Sequence, residues 1–102
     1  MRKIESLMLD AVRSGREMRR DNTSVEHERG RALVRLHGHL IGVVSPNGEL
    51  TISNCGYETA TTKSRLNALL RLLPGCHGIY QHRFQWFLDG EQWDGEPTTL
   101  KP

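Results

Sequence analysis

The chain has 102 residues, 36% of them hydrophobic and 6% aromatic, with 14 Lys and Arg against 12 Asp and Glu. That supports one thin core and not two. No apolar run approaches the roughly 20 residues that cross a bilayer, and the opening Met-Arg-Lys-Ile-Glu-Ser lacks a signal peptide's apolar block, so no membrane partner and a cytoplasmic location are expected.

In the first segment Ile4, Leu7, Met8, Ala11 and Val12 recur at intervals of three and four, which predicts an amphipathic helix over residues 2 to 14. Gly15 is a stop signal, yet Arg16 to Arg20 are good helix formers, and the expectation is a basic N-terminal helix reaching residue 20. On such a helix Arg13, Arg16 and Arg20 share a face, with Arg19 beside them. Residues 1 to 20 carry six Lys or Arg against three acids.

Asp21-Asn22-Thr23-Ser24 reads as a turn. Val25 to Glu28 and Arg31 to His37 flank Arg29-Gly30 as a hairpin. Leu40 to Val44 continues in β-favouring residues, Ser45-Pro46-Asn47-Gly48 is a strong turn, and Leu50 to Ser53 is another short strand. A second helix should start near Thr61 or Thr62 and run to Leu73, where Pro74-Gly75 ends it. Leu66, Leu69, Leu70 and Leu73 form its buried stripe, with Lys63, Asn67 and Arg71 facing outward. Ile79 to His82 and Phe84 to Leu88 add strands.

The predicted class is α+β: an antiparallel meander of about four to six strands with two helices packed on one face. The organisation expected is a basic helix over 1–20, an α+β core over 21–90 and an acidic flexible tail over 91–102. That tail, with its lone Trp93, would hang free or lie on the basic surface.

Chemistry-bearing residues cluster where the second helix begins. Thr61, Thr62, Lys63, Ser64 and Arg65 place hydroxyls and cations beside unpaired helix N–H groups, an arrangement that can hold a phosphate. Plain capping by Thr61 or Thr62 explains part of the same pattern. No glycine-rich turn precedes Lys63, so a P-loop is excluded. The arginines of the first segment can extend a phosphate track. Tyr57, Tyr80, Phe84, Trp86, Phe87 and Trp93 include candidates for base stacking, of which Tyr57 and Trp86 are favoured, although most aromatics of so lean a chain must build the core.

His27, His37, His39, Cys55, Cys76, His77 and His82 could ligate metal, but no Cys-x-x-Cys or His-Glu-x-x-His spacing is present, so no metal and no cofactor are expected. Cys55 and Cys76 should remain free thiols in a reducing compartment. Neither a nucleophile–base pair nor paired carboxylates emerge, and an enzyme is not expected.

The segments Leu36-His37-Gly38-His39-Leu40-Ile41, Cys55 through Leu70, Tyr80-Gln81 and Gln85-Trp86-Phe87 together resemble small uncharacterised proteins of tailed bacteriophages and prophages. That group carries a "V-x-L-H-G-N-x-I" strand followed by a "G-W-x-T-x-T-T-x-x-R-L-N" segment. His39 stands where the pattern has Asn, and Tyr57 where it has Trp. The resemblance implies a phage product made inside a bacterium, without catalytic residues.

The expected function is a non-enzymatic phage accessory protein that binds nucleic acid through Arg13, Arg16, Arg19, Arg20, Thr61, Thr62, Lys63, Ser64 and Arg65, with Tyr57 or Trp86 stacking. The alternative is a protein-directed inhibitor of a bacterial defence complex, anti-CRISPR-like, or of a transcription complex, using the same surface. Under that reading the partner is a host nucleic-acid-handling protein. A homodimer formed through Leu9 or an exposed sheet face is a third reading.

Overall fold

The computed structural model describes residues 1–102. The first helix, α1, covers Lys3–Ser14 and stops where Gly15 takes a left-handed φ of 75°, a conformation that costs glycine little and other residues more. Its inward residues are Glu5, Met8, Leu9 and Ala11. Leu9 is therefore core, not a dimer contact, because the buried stripe is turned toward Glu5 and Leu9 and leaves Leu7 only half-buried.

The expected continuation of this helix to Arg20 is not what forms. Met18–Arg20 is an edge strand, β1, paired antiparallel with the second strand in the register Met18↔Val25 to Arg20↔Thr23. Strand pairing and burial of Met18 against the core outweigh helix propensity over these three residues. The connection is held by His27, whose Nε2 lies 3.1 Å from the carbonyl of Ala11 and 3.0 Å from that of Arg16.

The meander follows: β2 (Thr23–Glu28), β3 (Arg31–Leu36), β4 (His39–Val44) and β5 (Leu50–Ile52). Arg29-Gly30 and His37-Gly38 supply consecutive left-handed residues at the two tight turns, as twisted two-residue hairpins require. The ladder is antiparallel throughout, with a bulge at Val34/Arg35. Alternation puts Val25, Val34, Leu36, Leu50 and Ile52 in one core with Met8, Leu9, Leu66 and Leu69.

Helix α2 covers Ala60–Leu70 and is capped by Thr59, whose Oγ1 accepts the Thr62 N–H. It lies on the same face of the sheet as α1. It approaches so closely that a Cβ on Gly42 would fall 2.6 Å from Leu69 Cδ1. This agrees with the expected α+β architecture.

The last third of the chain adds a second antiparallel sheet, β6 (Ile79–His82), β7 (Gln85–Leu88) and β8 (Glu91–Gln92). Asn67 of α2, expected to face outward, instead binds it. Its Nδ2 donates to the Ile79 carbonyl at 2.9 Å and its Oδ1 accepts the Ile79 N–H at 2.8 Å.

The acidic tail is likewise ordered. Trp93 is 6% exposed, its Nε1 donates to Thr98 Oγ1 at 2.8 Å, and β9 (Thr98–Leu100) closes the large sheet against β5. One tryptophan supplies enough apolar area to dock a short polar segment. The strand order of the large sheet is β1-β2-β3-β4-β5-β9.

Candidate nucleic-acid interface

The structure divides the residues around the start of α2. Thr62 and Arg65 are buried and turned into the protein. Arg65 Nη1 donates to Glu5 Oε2 at 2.8 Å, its Nε to Thr23 Oγ1 at 3.0 Å and its Nη2 to Asn22 Oδ1 at 3.3 Å. Ser64 Oγ donates to the same Glu5 oxygen at 2.5 Å. Arg65 and Ser64 thus join α2 to α1 and to the β1–β2 turn, and neither is placed to meet a phosphate. Glu5 was missed by sequence reasoning, although an acid inside an apolar stripe is a signal that a buried cation faces it.

Burial raises the proton affinity of Glu5. The hydrogen bonds from Ser64 and Arg65, the Arg2 backbone amide and the Arg65 charge more than reverse this, holding the carboxyl below its ordinary value.

Thr61 is half-buried, and the backbone amides of Ala60 and Thr61 have no acceptor within the chain. Lys63 leaves the helix on the other side, where its Nζ donates to Gln81 Oε1 at 3.2 Å and sits 5.9 Å from the centroid of Trp86. Its charge therefore stands beside the β6–β7 hairpin at the Gln81–Trp86 pair, the second rung from the turn.

Arg13, Arg16, Arg19 and Arg20 are all exposed but share no helical face. Arg13 lies in the last turn of α1, and Arg16, in the connection, donates from Nε to Ser14 Oγ at 2.9 Å. Arg19 and Arg20, adjacent on a strand, point to opposite sides of the sheet. The continuous arginine strip expected from helical spacing is thereby corrected to a scattered basic edge.

Trp86 is fully buried, packing against Trp93 at a ring separation of 6.2 Å, so it is core and offers no face to a base. Tyr57 is 49% exposed and stacks on His39 at 4.4 Å. The most exposed aromatic is Phe84, at 91%. It occupies the tip of the β6–β7 hairpin beside Arg83, and both residues have left-handed φ, 52° for Arg83 and 67° for Phe84. Below it on the hairpin Tyr80, itself 49% exposed, stacks on Phe87 at 5.2 Å. Gln81, His82, Arg83, Phe84 and Gln85 include no acid. The signal was present in the sequence as an aromatic between a basic residue and a glutamine, but only the turn reveals which aromatic protrudes.

Among the histidines, His77 Nδ1 donates to Asp89 Oδ2 at 2.7 Å, while Asp89 Oδ1 accepts the Gly78 N–H at 2.8 Å. Burial pushes the Asp89 carboxyl up, and these two bonds with the His77 charge bring it below its ordinary value. Cys55 and Cys76 are free and exposed. Cys55 Sγ donates to the Leu40 carbonyl at 3.1 Å, and neither thiol bonds to a histidine. No three His, Cys, Asp or Glu residues converge as a metal site would need.

The Kyanoviridae Gp96 protein family matches the chain over residues 1–100, and the chain belongs to that family of phage proteins. No curated protein and no solved structure matches it.

Proposed function

We propose that this member of the Kyanoviridae Gp96 protein family is a phage accessory protein that binds single-stranded nucleic acid through the β6–β7 hairpin. The observation that carries the reading is Phe84. A bulky apolar side chain at 91% exposure on a left-handed residue forgoes burial and carries backbone strain, of order 1–2 kcal/mol for the φ alone. Such a side chain is explained by a partner that covers it.

The surroundings of Phe84 select the partner's chemistry. Arg83 adjoins the tip, Lys63 stands beside the hairpin at Gln81 and Tyr80 offers a second exposed ring. Aromatic faces interleaved with cations and free of acids suit unpaired bases on an anionic backbone, where each stack is worth about 1–3 kcal/mol. Duplex bases are already stacked, so single strands are favoured. The basic edge of Arg13, Arg16, Arg19 and Arg20 supplies longer-range attraction.

Fluorescence anisotropy with labelled single-stranded DNA and RNA across a salt series tests the reading. Affinity should fall as salt rises. Phe84→Ala should weaken binding at every salt, whereas Lys63→Glu and Arg83→Glu should also flatten the salt dependence, by about 0.7 in log–log slope per lost phosphate contact. Absence of binding at low salt would end this proposal.

The same protruding ring is also the kind of anchor that fills a pocket on a protein. A protein-directed inhibitor of a bacterial defence or transcription complex is therefore the second reading. Pull-down from bacterial lysate, divided into nuclease-treated and untreated halves, separates the two. A Phe84-dependent host protein that survives nuclease selects the inhibitor.

A further inference from the structure

A cleft of about 270 Å³ opens between the large sheet and the first turn of α2. We propose that it binds a phosphate monoester, independently of the hairpin. Two observations converge on it. The first is the helix N-terminus, where Thr61 lines the cleft with a backbone N–H that has no acceptor and with a hydroxyl, and Ala60 beside it carries a second free N–H.

The second is Asn54, which lines the cleft although it is only 2% exposed. Its Oδ1 accepts the Gly56 N–H at 2.8 Å, and this bond fixes which end of the amide is the donor. The donor, Nδ2, is buried without an acceptor. Gly95 backs the amide so closely that a Cβ there would fall 2.2 Å from it, so no rotation toward that side relieves it. An unmet buried donor costs about 1–3 kcal/mol; closed off from solvent at rest, it is met when the amide shifts toward an acceptor in the cleft.

The lining selects the charge of the occupant. His37, His39 and Tyr57 are part of the lining, and no Asp or Glu takes part. The positive helix end, amide and hydroxyl donors and two imidazoles suit a compact dianion with several acceptor oxygens. Tyr57 is half-exposed with one face on His39, and its outer face offers a seat to a planar group attached to the phosphate. Two sources share this chemistry: a free mononucleotide and the 5′-terminal nucleotide of a strand.

The test is a titration of the ¹⁵N-labelled full chain, followed by heteronuclear correlation spectra, with inorganic phosphate, a nucleoside 5′-monophosphate, the matching nucleoside, and short single strands with and without a 5′-phosphate. Saturable shifts of the Ala60 and Thr61 amides and the Asn54 side-chain amide are expected with each phosphate monoester, and none with the nucleoside. A 5′-phosphorylated strand binding at least tenfold more tightly than its 5′-hydroxyl counterpart supports the strand end. Equal affinity for the mononucleotide and the phosphorylated strand supports the free ligand.

Thr61→Glu puts a carboxylate at the cleft mouth, where the helix end favours an acid and the fold is retained. It should lower phosphate affinity at least tenfold, with a smaller loss in His39→Ala. Phe84→Ala should leave phosphate binding unchanged, so failure of the hairpin reading and failure of this one are distinguishable. Absence of saturable shifts at millimolar phosphate, or binding indifferent to Thr61→Glu, overturns the proposal.

Discussion

The guanidinium of Arg65 meets the carboxylate of Glu5 at 2.8 Å with both side chains 4% exposed, tying the second helix to the first inside the protein. Such a pair is favourable only while both partners are present, since desolvation offsets much of their attraction. Arg65→Met should therefore cost about 3–5 kcal/mol in urea denaturation, because Glu5 is left buried without its cation. Glu5→Gln with Arg65→Met should recover part of that loss. Lys63→Glu, two residues earlier and on another face of α2, should leave the fold stable, and this contrast separates loss of structure from loss of binding.

The same pair shapes the acid limb of stability. Glu5 has its folded proton affinity lowered from an ordinary 4.5. Its contribution is thus fully present above the unfolded value and is lost as pH falls through the folded one. Stability should begin to decline below about pH 4.5. Glu5→Gln should reduce stability at neutral pH while flattening that decline. Asp89→Asn should alter the slope less, because Asp89 is 34% exposed and solvent screens its pairing with His77. Denaturant midpoints measured across pH for the three proteins check both expectations.

The end of the chain is part of the fold. Gly95 has φ 87° and is pressed against Asn54, and its carbonyl accepts the Asn54 N–H at 3.1 Å and the Ser53 hydroxyl at 2.9 Å. Gly95→Ala combines left-handed strain with a clash and should destabilise by at least ~2 kcal/mol. Trp93→Ala should cost about 3–5 kcal/mol through the cavity it leaves beside Trp86. Thermal melts monitored by circular dichroism would show both, and a melt unchanged by Trp93→Ala would mean that the tail is not docked in solution.

Phe84 allows stability and binding to be set against each other. Asn tolerates left-handed backbone better than Phe, so Phe84→Asn should leave stability unchanged or raise it by about 0.5–1 kcal/mol. It should at the same time reduce affinity for single strands by about 1–3 kcal/mol, or roughly five- to 150-fold. Chemical denaturation and anisotropy on the same preparation make the comparison. Simultaneous loss of stability and binding would show that Phe84 is structural.

The site was only partly legible before the fold was known. Tyr57, Thr61, Lys63 and the four arginines do reach the surface or its margin, whereas Thr62 and Arg65 are turned inward and Trp86 is core. Ser64 is half-buried and bonded to Glu5. Helical spacing could tell which residues share a face. It could not tell that α1 would supply an acid 2.8 Å from Arg65, since that depends on how two helices meet on the sheet. Asn54 was invisible for a similar reason: its exposure depends on Gly95, 41 positions later in the chain.

By itself the sequence determined the local grammar of this protein: two amphipathic helices, the meander and its turns, because periodicity and backbone preference act over a few residues. Only the tertiary structure decided what lies between them. It made a strand of Met18–Arg20 and an ordered strap of the acidic tail, and it chose Phe84 over Trp86 as the protruding ring. In each case the deciding free energy is strand pairing or burial in the shared core, from a neighbouring strand for Met18–Arg20 and from the far-off β5 for the tail, which single-residue propensity does not encode.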